Sequence, residues 1–168
     1  MSNQYYLATK GVQKSVLALL NILKKVNQTE GDKQVIFDAR LAPDMLPFKV
    51  QISIVSDNLK GMVSRFAQVE NPKMEDTETT LEQLIERLQK TIDFANSVNE
   101  DQYSDAANIK AVFPWFPGKY LNANDYLFQF AIPNVYFHLS IAYAILRSNG
   151  YELGKQDFIG GTNLQDLE

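Results

Sequence analysis

The sequence predicts an all-α protein: a four-helix bundle with a short, irregular β-hairpin excursion between the third and fourth helices. Three observations lead there. Four long segments carry apolar residues at three- and four-residue spacing, the period of one helical face. Glycine, proline and polar clusters separate them. Residues 107–121 lose the helical period and read as two short β-like pieces. Residues 1–168 read as one domain, long enough to bury a real core.

The first helix is expected over about residues 4–27, where Tyr5, Ala8, Val12, Val16, Leu19, Leu23 and Val26 share a face. Gly31, in the polar run "NQTEGDKQ", stops it. Pro43 and Pro47 allow "VIFDARLAPDMLP" only one short helical turn and a loop. Arg40 and Asp44 in this stretch read as loop and cap residues. The second long helix follows Pro47 and buries Ile52, Val55, Leu59, Met62, Phe66 and Val69, with Gly61 off that stripe marking a close contact. "ENPKM" breaks the chain. Thr79 with Glu82 forms a capping box that opens the third helix, whose buried stripe is Leu81, Leu84, Leu88, Ile92, Ala95 and Val98. Glu75 and Asp76 precede it and suit its positive end.

"ANIKAVFPWFPGKYL" has two β-like pieces flanking "PWFPG", an irregular hairpin. The fourth helix is expected from Asn122, with Asp125 three residues on, to Asn149–Gly150, with Gly150 as a left-handed cap. Pro133 should kink it and free a carbonyl near Gln129. The tail is expected to be ordered as far as Phe158 and to fray after Gly160.

Composition excludes several classes of function. Net charge is −4 with the signs interspersed, so no basic stripe exists for a nucleic acid. The chain has no cysteine, which removes disulfides, thiolate metal sites and a cysteine nucleophile. Residues 126–146 approach the length of a membrane span, but Gln129, Asn134, His138 and three tyrosines interrupt them. The start lacks a basic n-region followed by an apolar h-region, so the expected setting is the cytoplasm, with no membrane contact. No glycine-rich phosphate loop or serine–histidine–acid triad is legible.

The chemistry-bearing feature is a polar pair in an apolar helix. His138 is the single histidine, and Asn134 lies one turn before it. Leu127, Ala131, Asn134, His138, Ile141 and Ile145 share one stripe at bundle-seam spacing, so both polar residues should face inward. Gln51 lies at the edge of the second helix's inward stripe and could meet them. Buried polar groups are costly unless satisfied. The pair is half of a metal site, the remnant of one, or a core hydrogen bond from His138 to Asn134 or to a hydroxyl such as that of Tyr5 or Tyr6.

"NVYFHLSIAYAILRSNG" resembles the last helix of the DinB-like (YfiT-like) metalloenzyme bundles, where His-x-x-x-His precedes a leucine-rich turn and Leu-Arg-x-x-Gly. The resemblance implies a divalent metal on three histidines, one on the second helix and two on the last. His138 matches the second of those two, Asn134 falls on the first, and Gln51 lies near the helix-two ligand. "ARLAPDM", "EDTETT", "DYLFQFAIPNVYFH" and "LGKQDF" also resemble an uncharacterised bacterial family of unknown function within that superfamily. Two of the three histidines are absent here, and amide oxygens are poor substitutes for imidazole toward zinc or nickel. No cofactor is therefore predicted. The first expectation is a small polar ligand held at His138, Asn134 and Gln51; the alternative is a metal-dependent transferase or isomerase of the thiol-cofactor type, with His138 as ligand or base.

The fourth helix is apolar on its back as well. Ile132, Tyr136, Leu139 and Tyr143 form a second stripe, which the hairpin or a second copy must cover. A homodimer is expected, with Tyr136, Leu139, Tyr143 and Trp115 at its interface. A structural, partner-binding role is the third alternative.

Overall fold

A computed structural model describes residues 3–167. In chain order the elements are α1 (Gln4–Asn27), α2 (Gln34–Phe37), α3 (Phe48–Ala67), α4 (Leu81–Ser97), two 3₁₀ turns, β1 (Lys110–Val112), β2 (Tyr120–Asn122), α5 (Ala123–Asp125), a π-helical turn (Tyr126–Ala131), α6 (Ile132–Ser148) and α7 (Lys155–Ile159). The long helices α1, α3, α4 and α6 form the bundle, and α3 is central, packing on the other three. β1 and β2 are antiparallel, with Lys110 opposite Asn122 and Val112 opposite Tyr120. No helix among the described residues is long and apolar enough to cross a membrane.

Sequence and structure agree closely on α1, α3 and α4. Ile52, Val55, Leu59, Met62 and Phe66 on α3 are fully buried, as are Val16, Leu19 and Leu23 on α1. The capping box opening α4 sits one residue later than expected. Thr80 Oγ1 accepts from the Gln83 amide, and Gln83 Oε1 accepts from Thr80 and Thr79 N–H. Thr80 rather than Thr79 caps because the buried Leu81 then begins the helix directly.

The fourth helical region departs most from expectation, and Pro133 is the cause. The pyrrolidine ring crowds the carbonyl four residues back and offers no N–H. The turn before it widens to five-residue pairing, with the Ile132 N–H donating to the Leu127 carbonyl. The widened turn rotates everything downstream relative to a regular wheel. Val135, His138, Leu139, Ala142, Ile145 and Leu146 face the core, while Asn134 and Ile141 are half-buried at its edge.

Leu139 therefore belongs to the core and not to the outer stripe. Of the rest of that stripe, Tyr143 is covered by the chain's own C-terminal part, while Tyr136 stays exposed and only its hydroxyl is engaged. Tyr143 packs edge-on against Phe158 of α7 and donates to the Leu153 carbonyl, while the Tyr136 hydroxyl meets Ser15 Oγ on α1. The hairpin instead inserts Phe113 against Phe130 and Tyr126. Gly150, at φ 85°, terminates α6 as expected.

Candidate functional site

The site begins with two carboxamides whose orientation is forced. Gln51, buried on α3, donates from Nε2 to the Leu46 carbonyl at 2.8 Å. A carbonyl only accepts, so the Gln51 amide cannot be reversed. Its oxygen lies 2.7 Å from His138 Nδ1 and must accept from an Nδ1–H. The neutral imidazole then carries its lone pair on Nε2, which has no hydrogen-bond partner among the described residues. Burial pushes the His138 pKa below the ordinary imidazole range, which keeps the ring in this neutral form.

One turn earlier the logic repeats. Asn58 Nδ2 donates to the Ile54 carbonyl at 2.8 Å, which turns Asn58 Oδ1 toward α6. Asn134 Nδ2 donates to that oxygen at 2.9 Å, leaving Asn134 Oδ1 without a partner among the described residues. The structure thus brings Gln51 and His138 into contact and leaves Asn134 beside them with Asn58 as its partner. The Asn134–His138 bond expected along one helix does not form, because each residue reaches across to α3. The tyrosines do not serve the site either. The Tyr5 hydroxyl donates to Asn124, and Tyr6 packs on Tyr103.

His138 and Asn134 line a cleft of about 620 Å³ between α3, α6, the 71–74 segment and the hairpin. That volume suits a small molecule. One wall is aromatic: Phe113, Trp115, Tyr126 and Phe130. The lining also carries charge. Lys60, only 4% exposed, donates to the Pro72 carbonyl and pairs with Asp57 at 3.1 Å. Arg65 lies 5.2 Å above the Phe113 ring and 5.3 Å from that of Tyr126. Gly61 makes room for it, since a Cβ there would stand 2.6 Å from Arg65 Nη1. Asp57, the one carboxylate of the lining, is also held by Arg87 at 2.9 Å.

Arg87 is the main residue that sequence reasoning missed. Its side chain is 1% exposed and binds Asp57, Asp76 and Glu78, each at 2.9 Å. Asp76 therefore serves this arginine, not the positive end of α4. The signal was Arg87's place between Leu84 and Thr91 on the buried face of α4.

These residues do not fit a divalent metal. His138 is the one imidazole, a single good nitrogen donor where zinc or nickel favours several. Asp57 is committed to Lys60 and Arg87, and no group of three or more histidine, cysteine or acidic side chains converges among the described residues. Two nearby cations, Lys60 and Arg65, oppose a third positive charge.

Of the expected dimer residues, Leu139 is buried in its own chain and Tyr143 is half-buried, while Tyr136 and Trp115 are exposed.

The comparisons with known proteins agree with this architecture. The chain is similar to a crystal structure of a DinB family member protein from Shewanella denitrificans. Identity is 32%, 98% of this chain and 92% of that one are covered, and the TM-score is 0.77. No curated protein matches the chain. The profile of the domain of unknown function DUF1993 matches residues 5–159, and the chain belongs to that family.

Proposed function

We propose that the protein binds a small polar molecule in the cleft beside His138 and uses no resident metal to do so. One observation carries the reading. Gln51 holds the imidazole by its Nδ1–H, so the lone pair of a neutral, oriented Nε2 is free on a residue that lines the cleft. Asn134 Oδ1 adds a second free acceptor. Neither atom is a sealed buried group without a partner, so each is open to a partner from outside the bundle.

A thermal-shift screen of small polar fragments tests this. Binders should raise the melting temperature of the wild type and lose that effect in His138→Phe and Asn134→Leu. Stoichiometric zinc, nickel or manganese in freshly purified protein, absent from His138→Ala, would overturn the metal-free reading.

The same proposal places the protein in the cytoplasm and includes a homodimer. Exposed Tyr136 and Phe137 on α6, with Trp115 and Phe116 on the hairpin, support self-association.

A further inference from the structure

The chemistry around the cleft narrows the ligand. Its lining holds Lys60, Arg65 and Lys73 against the single carboxylate of Asp57, and that carboxylate is already neutralised by Lys60 and by Arg87 from behind. Lys73 pairs with Glu75 at 2.6 Å and Arg87 also with Asp76 and Glu78, so Arg65 is the lining cation with no acidic partner among the described residues. Lys60 is built in rather than dangling on the surface: its ammonium is buried, and two of its three N–H donors are spent on the Pro72 carbonyl and on Asp57. One donor remains. Arg65 spends one N–H on the Gly61 carbonyl at 3.2 Å and is fixed by two aromatic faces. A buried cation with a donor left over is satisfied by an anion's oxygen.

The rest of the lining asks for different groups. His138 Nε2 and Asn134 Oδ1 are acceptors and require a donor on the ligand. The wall of Phe113, Trp115 and Phe130 offers apolar faces on which a flat ring can pack. Both Lys60, with its remaining donor, and Arg65, with its remaining guanidinium N–H groups, line the cleft, and each suits an anionic oxygen.

We infer that the cleft takes a small aromatic hydroxy acid, with its carboxylate toward Lys60 and Arg65, its ring on the aromatic wall, and its hydroxyl donating to His138 Nε2 or Asn134 Oδ1. This rests on the binding-site reading above.

The probe is para-hydroxyphenylacetate, titrated by calorimetry and by the emission of Trp115, the single tryptophan of the chain and part of the cleft wall. Three analogues each change one group: phenylacetate lacks the hydroxyl, para-hydroxybenzyl alcohol lacks the charge, and tyramine reverses it. The acid should bind tightest: the alcohol and tyramine about tenfold or more weaker, as a lost charge-assisted hydrogen bond costs, and phenylacetate weaker by about threefold or more, as a lost neutral one costs. Arg65→Met should weaken the acid about tenfold and leave the alcohol unchanged. Gly61→Ala should do the same while keeping the full charge, because its methyl displaces the guanidinium and α3 stays helical by circular dichroism.

If the alcohol or tyramine binds as tightly as the acid and depends on His138, the anion assignment falls and the binding site stands. If no probe binds, or the acid's binding ignores Arg65, the hydroxy-acid assignment falls; the binding site falls with it when the fragment screen also yields no binder that depends on His138.

Discussion

Replacing Gln51 with leucine isolates the interaction on which the site is built. The change removes the acceptor of the His138 Nδ1–H, a 2.7 Å bond inside the bundle. An unpaired buried donor costs about 1–3 kcal/mol. The Leu46 carbonyl loses its partner too, but Leu46 is 45% exposed and water replaces the amide there. A net loss of about 2 kcal/mol lowers the melting temperature by roughly 4–8 °C in a chain of this length. The double variant Gln51→Leu/His138→Phe removes both partners and should recover most of that loss, since an apolar pair of similar shape leaves nothing unsatisfied. Thermal denaturation measures the cycle, and nitrogen NMR of the imidazole reads its tautomer. A wild-type ring protonated on Nε2 would refute the reasoning, as would a Gln51→Leu protein melting within about 1 °C of wild type.

Stability should depend on pH through His138. Its folded pKa lies below the unfolded value of about 6.5, so the unfolded chain takes up the proton first as pH falls. Wild type should lose stability relative to His138→Phe from about pH 6.5 downward, levelling once the folded ring protonates; a flat difference in melting temperature across that range would contradict this. Arg87→Met should detach the 75–78 segment from α4 at a cost of about 2 kcal/mol, modest because Asp57 and Asp76 stay hydrated, and limited proteolysis should then cut that segment faster. Dialysis against a chelator should leave the melting temperature unchanged; a drop of several degrees reversed by zinc would restore a metal to the site. Light scattering on dilute protein should give twice 19.1 kDa; the single-chain mass would end the dimer proposal.

Much of the bundle was legible because apolar spacing and helix ends are local properties. The buried stripes of α3 and α4, the hairpin around "PWFPG" and the Gly150 cap are each written within a few consecutive residues. The inward placement of His138 and its proximity to Gln51 could be read the same way, since both lie on or beside regular stripes. The outer stripe could not. Projecting Leu139 and Tyr143 from a regular wheel ignored the π-turn that Pro133 imposes, and that turn moved Leu139 into the core.

Periodicity and chain-breaking residues thus determined, from the sequence alone, how many helices form and roughly which face of each is buried. Only the tertiary structure decided the hydrogen-bond partners. His138 bonds Gln51 across 87 positions and Asn134 bonds Asn58 across 76, and the Arg87 cluster and the cleft are likewise assembled from several elements. The reason is physical. A helical face follows from a period of a few residues, whereas the partner of a buried polar group depends on how two helices are rotated and offset against each other, and that is settled by the packing of the whole core.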